Sequence, residues 1–230
     1  MDQSSVPETP DEIYRYFEEY SNKGGGGGKG DISNNPSDRE GGTSKVKIGN
    51  ITIEGKSELV NDLKCKLERV IKDVPLLRVL LTKISEVRIT FEKKSVRGFD
   101  SPYATSDKNT IQINPEKISY ITLMEELFHV YQRQSLPDNY MYTGNLEFEA
   151  KIFISVLSHD FNISDDTFSM REYIDIFYNY YRNPEDLLLR EDAISSLARL
   201  GYYEQQYPTD GNLGTESNLK RLKELVEQSK

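Results

Sequence analysis

The sequence predicts an α+β fold with a small sheet and a mostly helical C-terminal half. Apolar and polar residues alternate in short segments at 45–55, 87–91 and 110–113, as expected for strands. Further along the chain, apolar residues recur every three or four positions, which is typical of helices. A small sheet combined with mostly helical content favours an α+β architecture.

The first 45 residues predict a short helix and a linker, not part of the folded domain. Residues 11–21 form an amphipathic helix candidate, and five consecutive glycines follow at Gly24–Gly28. A Gly/Ser/Asn/Asp-rich stretch then continues to about Thr43, a composition that buries too little surface to become ordered. A phosphate-binding loop is not indicated, since no apolar strand precedes the glycines. We therefore expect an extension at 1–45 and one domain at 46–230.

The β-rich part of that domain has clear turn signals. Gly49-Asn50, between two alternating segments, predicts a hairpin spanning 45–55. A helix follows from Ser57 to about Thr82, interrupted near Pro75. The segments 87–91 and 110–113 then predict two further strands.

The remaining elements are predicted as helices. Asn114-Pro115 suits a cap and first helical position, and that helix continues to about Arg133. A second helix is predicted at 145–158. The last helices are expected at 168–181, 184–200 and 219–228.

Composition excludes several function classes. The net charge of −9 and pI near 4.9 argue against nucleic-acid binding, which depends on Lys and Arg neutralising phosphates. No apolar run is long enough to span a membrane, and Met1–Ser4 lacks the start of a signal peptide. We therefore expect a soluble protein, cytoplasmic unless it is exported by a non-classical route or within a larger secreted protein. The single cysteine, Cys65, predicts neither a disulfide nor a thiolate metal site.

The most informative stretch is Leu123–His129, which is one substitution from the zinc-protease motif H-E-x-x-H. Glu125 stands at the first histidine position, followed by Glu126, and His129 is the second histidine. Residues four apart share a helix face, so Glu125 and His129 are candidate ligands of one metal ion. Glu126 is then the candidate general base.

A third ligand is expected on the next helix, which offers Glu147 and Glu149. We favour Glu149, 20 residues after His129, because its helical neighbours are apolar and a buried carboxylate needs a cationic partner. A metal ion supplies such a partner, as would Arg133 or Lys151. A turn between the helices is expected to bring the second back antiparallel to the first.

The run Glu-Glu-Leu-Phe-His-Val-Tyr-Gln followed by Asn-Leu-Glu-Phe-Glu-Ala resembles the active-site region of zincin-type metallopeptidases, most closely the gluzincin arrangement. It is also similar to the zincin-like toxin or effector domains of bacterial polymorphic proteins. The resemblance covers Thr110 to Phe153. It implies a metallopeptidase with Glu126 as general base and with His129 and Glu149 as ligands. It also implies a peptide substrate lying along an edge strand at 110–114.

Glu125 is the departure from that family pattern. The resulting Glu/His/Glu set carries more negative charge than the usual ligands. Zinc is the expected ion, and the oxygen-rich set makes manganese or iron the alternatives. His159, Tyr140 and Tyr142 are further candidates near the site. The competing interpretations are an ordinary amphipathic helix and a catalytically inactive binding module that holds a partner peptide. A di-iron bundle is excluded because a second Glu-x-x-His motif is missing: Val156 stands three residues before His159.

Overall fold

The computed structural model describes residues 42–92, 104–115, 119–163, 171–202 and 207–230. Within these ranges the fold is α+β, as the sequence predicts. The strands are β1 (Thr43–Ile48), β2 (Ile51–Lys56), β3 (Val87–Phe91), β4 (Ala104–Ser106) and β5 (Thr110–Ile113). The α-helices are α1 (Ser57–Asp73), α2 (Pro75–Lys83), α3 (Tyr120–Ser135), α4 (Thr143–Phe161), α5 (Ile174–Arg182), α6 (Leu187–Arg199) and α7 (Lys220–Gln228).

The sheet is mixed, with the strand order β1-β2-β3-β5-β4. The pairs β1/β2 and β4/β5 are antiparallel, whereas β2/β3 and β3/β5 are parallel. The predicted hairpin is confirmed, and Gly49 at its turn adopts a φ of 55°, a conformation that favours glycine. The predicted helix and linker in the first 41 residues lie outside the described residues.

Helices α1 and α2 form the connection between the parallel strands β2 and β3. The predicted break near Pro75 is confirmed: α1 ends at Asp73, and Pro75 is the first residue of α2. At this position no intrahelical hydrogen bond requires the N–H group that proline lacks. One face of α1 is buried through Val60, Leu63 and Leu67 and packs on the sheet. The buried side chains of β1, β2, β3, α1 and α2 are all aliphatic.

Helix α3 begins later than the sequence predicts. The cap is Ser119, whose Oγ accepts a hydrogen bond of 3.4 Å from the backbone N–H of Thr122. The prediction that Asn114-Pro115 starts this helix is therefore wrong: Asn114 directly follows β5 and is buried there. The late start places Glu125 and Glu126 in the second turn of the helix.

Strand β4 is not predicted from the sequence, because a strand of three residues is too short to show an alternating pattern. It pairs with β5 and also contacts α3. The predicted edge strand is therefore misplaced: β5 lies between β3 and β4, and β4 is the outermost described strand on that side.

Helix α4 is the central element of the helical half. Thirteen of its residues are buried, and it contacts both α3 and α5. Helix α7 packs against α2, which is one of the two helices that connect β2 to β3. None of the described helices is long and apolar enough to cross a membrane.

Candidate metal centre

The candidate site lies between α3 and α4. The rings of Phe128 and Phe153 stack at 4.3 Å between centroids and hold the two helices together. Contacts between polar side chains run in opposite order along the two helices: Glu125 contacts Lys151, whereas His129, later in α3, lies near Glu147, earlier in α4. This order shows that the helices are antiparallel, as predicted.

Glu125, His129 and Glu147 form one cluster. Each offers a ligand atom, and these atoms all lie within 4.8 Å of one another. Nε2 of His129 is 3.5 Å from Oε2 of Glu147 and 4.0 Å from Oε1 of Glu125. Nitrogen and oxygen ligands about 2.1 Å from a tetrahedral zinc ion are about 3.4 Å from each other. The three side chains are therefore close to a ligand arrangement.

Glu149, the ligand predicted from the sequence, lies outside this cluster. Its side chain is completely buried, and Oε2 accepts hydrogen bonds of 3.0 and 2.7 Å from Arg221. The same oxygen accepts 2.9 Å from Gln132, while Oε1 accepts 3.3 Å from the backbone N–H of Leu222. The structure thus assigns the third position of the cluster to Glu147 and gives Glu149 an arginine partner.

Glu149 is buried, as its apolar helical neighbours predict. A buried carboxylate requires compensation, but the compensating cation comes from α7, a part of the chain that no local pattern connects to α4. Two residues along a helix are roughly 200° apart around its axis, so Glu147 and Glu149 point in very different directions. Which of the two glutamates lies near His129 is determined by how α3 packs against α4.

Lys151 adds a positive charge to the site. The side chain is 8% exposed, and its ammonium group contacts the carboxylate of Glu125. Nζ also lies 5.0 Å from the centroid of the Tyr202 ring. Burial alone lowers the pKa of Lys151, but the neighbouring Glu125 carboxylate outweighs this effect and raises the pKa above its ordinary value. Lys151 is therefore charged.

His129 also carries a charge in the protein without an ion. Burial opposes protonation, but the charge and hydrogen bond of Glu147 dominate and raise the pKa of His129 to about 9. Burial raises the pKa of Glu147, while His129 acts in the opposite direction and the net pKa is lowered. The two residues thus form a buried ion pair at neutral pH, and metal binding must displace one proton from His129.

Glu126, the predicted base, lies beside the cluster. Burial raises its pKa, and the nearby carboxylates of Glu125 and Glu147 act in the same direction. His129 and a hydrogen bond from Ser106 of β4 act against this rise. A carboxylate with a raised pKa next to candidate metal ligands is suited to act as a general base.

Arg133 links α3 to strand β4 of the sheet. Its Nη1 donates hydrogen bonds of 2.7 Å to the carbonyl oxygen and 2.6 Å to the hydroxyl of Ser106. Together with Tyr140 and Leu146, Arg133 also lines a surface cleft at the C-terminal end of α3.

The other candidates take no part in the cluster. His159 is on the surface, where Nε2 lies 2.8 Å from Asp175 and the ring stacks on Tyr178. Tyr140 and Tyr142 pack edge to face at 5.6 Å. Cys65 is an exposed residue of α1.

Gln132, which contacts both His129 and Glu149, was not singled out from the sequence. Gln132 is a buried amide on the same helix face as Glu125 and His129, and this spacing is the signal by which it could have been found. The interpretation of Lys220-Arg221 as solvated surface is wrong for Arg221, because its guanidinium group pairs with the buried Glu149.

Comparisons of this chain with protein-family models, with curated proteins and with solved structures gave no match.

Proposed function

We propose that this protein is a metal-dependent peptidase. Glu125, His129 and Glu147 hold one divalent ion, and Glu126 is the general base. The observation that carries the proposal is the buried Glu/His/Glu cluster with a further carboxylate of raised pKa beside it.

The donor atoms fit such an ion. Carboxylate and imidazole groups both coordinate zinc, and the oxygen-rich set also suits manganese or iron. Three donors leave a coordination position for water or substrate. Two carboxylate charges match the charge of a divalent ion, so the buried site would be neutral once His129 has lost its proton.

The chemistry follows from the positions of the side chains. A divalent ion held here would supply Lewis acidity for activating water and polarising a carbonyl group. Glu126 accepts a proton from the attacking water and returns it to the leaving nitrogen. Ser106 orients the Glu126 carboxylate through its hydrogen bond. A peptide would approach along β4, which is next to α3 and suits recognition by strand addition.

Elemental analysis tests this proposal. Untagged protein, dialysed against Zn²⁺, Mn²⁺ or Fe²⁺ and then against buffer, is expected to retain about one ion per chain. His129→Ala should lose it, whereas His159→Ala should retain it, because His159 is the surface histidine. Protein that holds no ion under any of these conditions would contradict the proposal.

The second candidate function is a catalytically inactive module that binds a partner peptide. The ion pair between Lys151 and Glu125 favours it, because an ammonium group already compensates the charge of one candidate ligand. In this case the cluster is a structural ion-pair network, and the protein needs no metal.

Replacing Lys151 with methionine separates the two candidates. A bound dication and a neighbouring ammonium group repel each other, so we expect Lys151→Met to increase zinc affinity roughly tenfold or more. It should also lower the stability of the metal-free protein, because Glu125 is left buried without its partner. Isothermal titration with Zn²⁺ measures the first effect.

Lys45→Met is the matched control. Lys45 pairs with Glu54 at the surface of the β1–β2 hairpin and is not a neighbour of the cluster residues, so its removal should change zinc affinity by less than about twofold. If both variants bind zinc no better than the wild type, Lys151 does not compete with a metal ion.

A further inference from the structure

Gln132 lies behind His129, on the side of the imidazole that faces away from Glu147. It is completely buried. Its Oε1 is 2.9 Å from Nδ1 of His129, and its Nε2 donates 3.0 Å to the carbonyl oxygen of Leu146 and 2.9 Å to Oε2 of Glu149. All the hydrogen-bonding positions of the amide nitrogen are thus in use.

These contacts fix the orientation of the amide. A backbone carbonyl oxygen only accepts hydrogen bonds, and Oε2 of Glu149 already accepts two from Arg221. The NH₂ group of Gln132 must therefore point toward Leu146 and Glu149. Its carbonyl oxygen must point toward His129, where it accepts a hydrogen bond from Nδ1–H.

We propose that Gln132 is a positioning residue that holds neutral His129 in the Nδ1–H form, so that the lone pair of Nε2 faces Glu125 and Glu147. Glu149 and Arg221 act through Gln132, because they hold its amide in the required orientation. The benefit for metal binding rests on the proposed function, but the assignment of the imidazole proton does not.

The structure gives a reason why this support matters. The opposite form of the imidazole has a proton on Nε2 and cannot coordinate an ion through that atom. With a fixed acceptor at Nδ1, ion binding need not first shift the proton between the two nitrogens. Partners of this kind are typically worth about 10–100-fold in metal affinity.

Nitrogen NMR of ¹⁵N-histidine-labelled protein tests the assignment directly, since the chain contains two histidines. His159→Gln identifies the signals of His129. In metal-free protein, at a pH where a titration of the spectrum shows His129 to be neutral, Nδ1 should be protonated and Nε2 should not be. A wild-type spectrum in which Nε2 carries the proton would overturn the inference, whether or not the protein binds metal.

Gln132→Leu tests the role of the side chain. The variant should show an appreciable Nε2–H population by NMR, and its zinc affinity should fall by about 10–100-fold. Gln134→Leu is the matched control: Gln134 is on the same helix and also makes three hydrogen bonds, but to Ser85, Lys108 and Asn109. Equal zinc affinities and identical His129 spectra in the two variants would overturn the inference. If Gln132→Leu does not fold, the wild-type spectrum still decides it.

Discussion

Replacement of Arg221 by alanine is expected to lower the free energy of unfolding by about 3–5 kcal/mol, the typical effect of removing one partner from a buried ion pair. Glu149 is fully buried, and Arg221 is the cation that contacts it. In the variant, the carboxylate keeps Gln132 and the N–H of Leu222 but loses its charged partner. Burial already raises the pKa of Glu149, and Arg221 opposes this rise. Urea denaturation of wild type and variant measures the loss.

The pH dependence of this loss gives a second measurement. Without Arg221 the pKa of Glu149 in the folded state rises further above its ordinary value of 4.5. The folded variant then binds more protons than the unfolded chain, so its stability falls as the pH rises above 4.5. The destabilisation should therefore be larger at neutral than at acidic pH.

Lys223→Ala is the control on the same helix. Lys223 pairs with Glu216 at the surface, and such pairs contribute about 0–1 kcal/mol. Combining Arg221→Ala with Glu149→Gln should recover part of the stability, because no buried charge remains. An effect of Arg221→Ala as small as that of Lys223→Ala would show that the pair contributes little.

Glu126→Gln is expected to reduce peptide hydrolysis by about 10²–10⁴-fold, the usual contribution of a general base. Glutamine has the shape of glutamate and can still accept the hydrogen bond from Ser106, but it cannot take up a proton from water. Because Glu126 is not a member of the ligand cluster, metal content and stability should stay close to those of the wild type. The assay is cleavage of a mixed-sequence fluorogenic peptide library by metal-loaded protein.

Glu147→Gln is the companion variant. It changes a proposed ligand and should lose metal and activity together, whereas Glu126→Gln should lose activity alone. Undiminished hydrolysis by Glu126→Gln would show that Glu126 is not the base. Loss of metal from that variant would show that Glu126 is a ligand.

Local signals in the sequence predicted most of the fold. The hairpin at Gly49-Asn50 and the helix break before Pro75 follow from the backbone preferences of single residues, which do not depend on distant contacts. The two helices of the site follow from their periodicity. Strand β4 and the true start of α3 were missed because a three-residue strand and a single capping serine give weak signals.

The site was predictable only in part. Glu125 and His129 are related by helical spacing and therefore come together whatever the tertiary structure. The choice between Glu147 and Glu149, and the pairing of Glu149 with Arg221, depend on how helices separated in sequence pack. No periodic pattern in a single sequence indicates contacts between helices that are far apart in the chain.

The distance along the chain between Glu149 and Arg221 has a consequence for biosynthesis. The two residues are separated by 72 positions, so a growing polypeptide contains the acidic residue well before its basic partner has been translated. Until α7 emerges, the carboxylate of Glu149 lacks its arginine partner, so we expect α3 and α4 to pack less stably than with α7 in place. Nascent chains that stop short of α7 should therefore stay loosely packed and be recognised by chaperones and proteases.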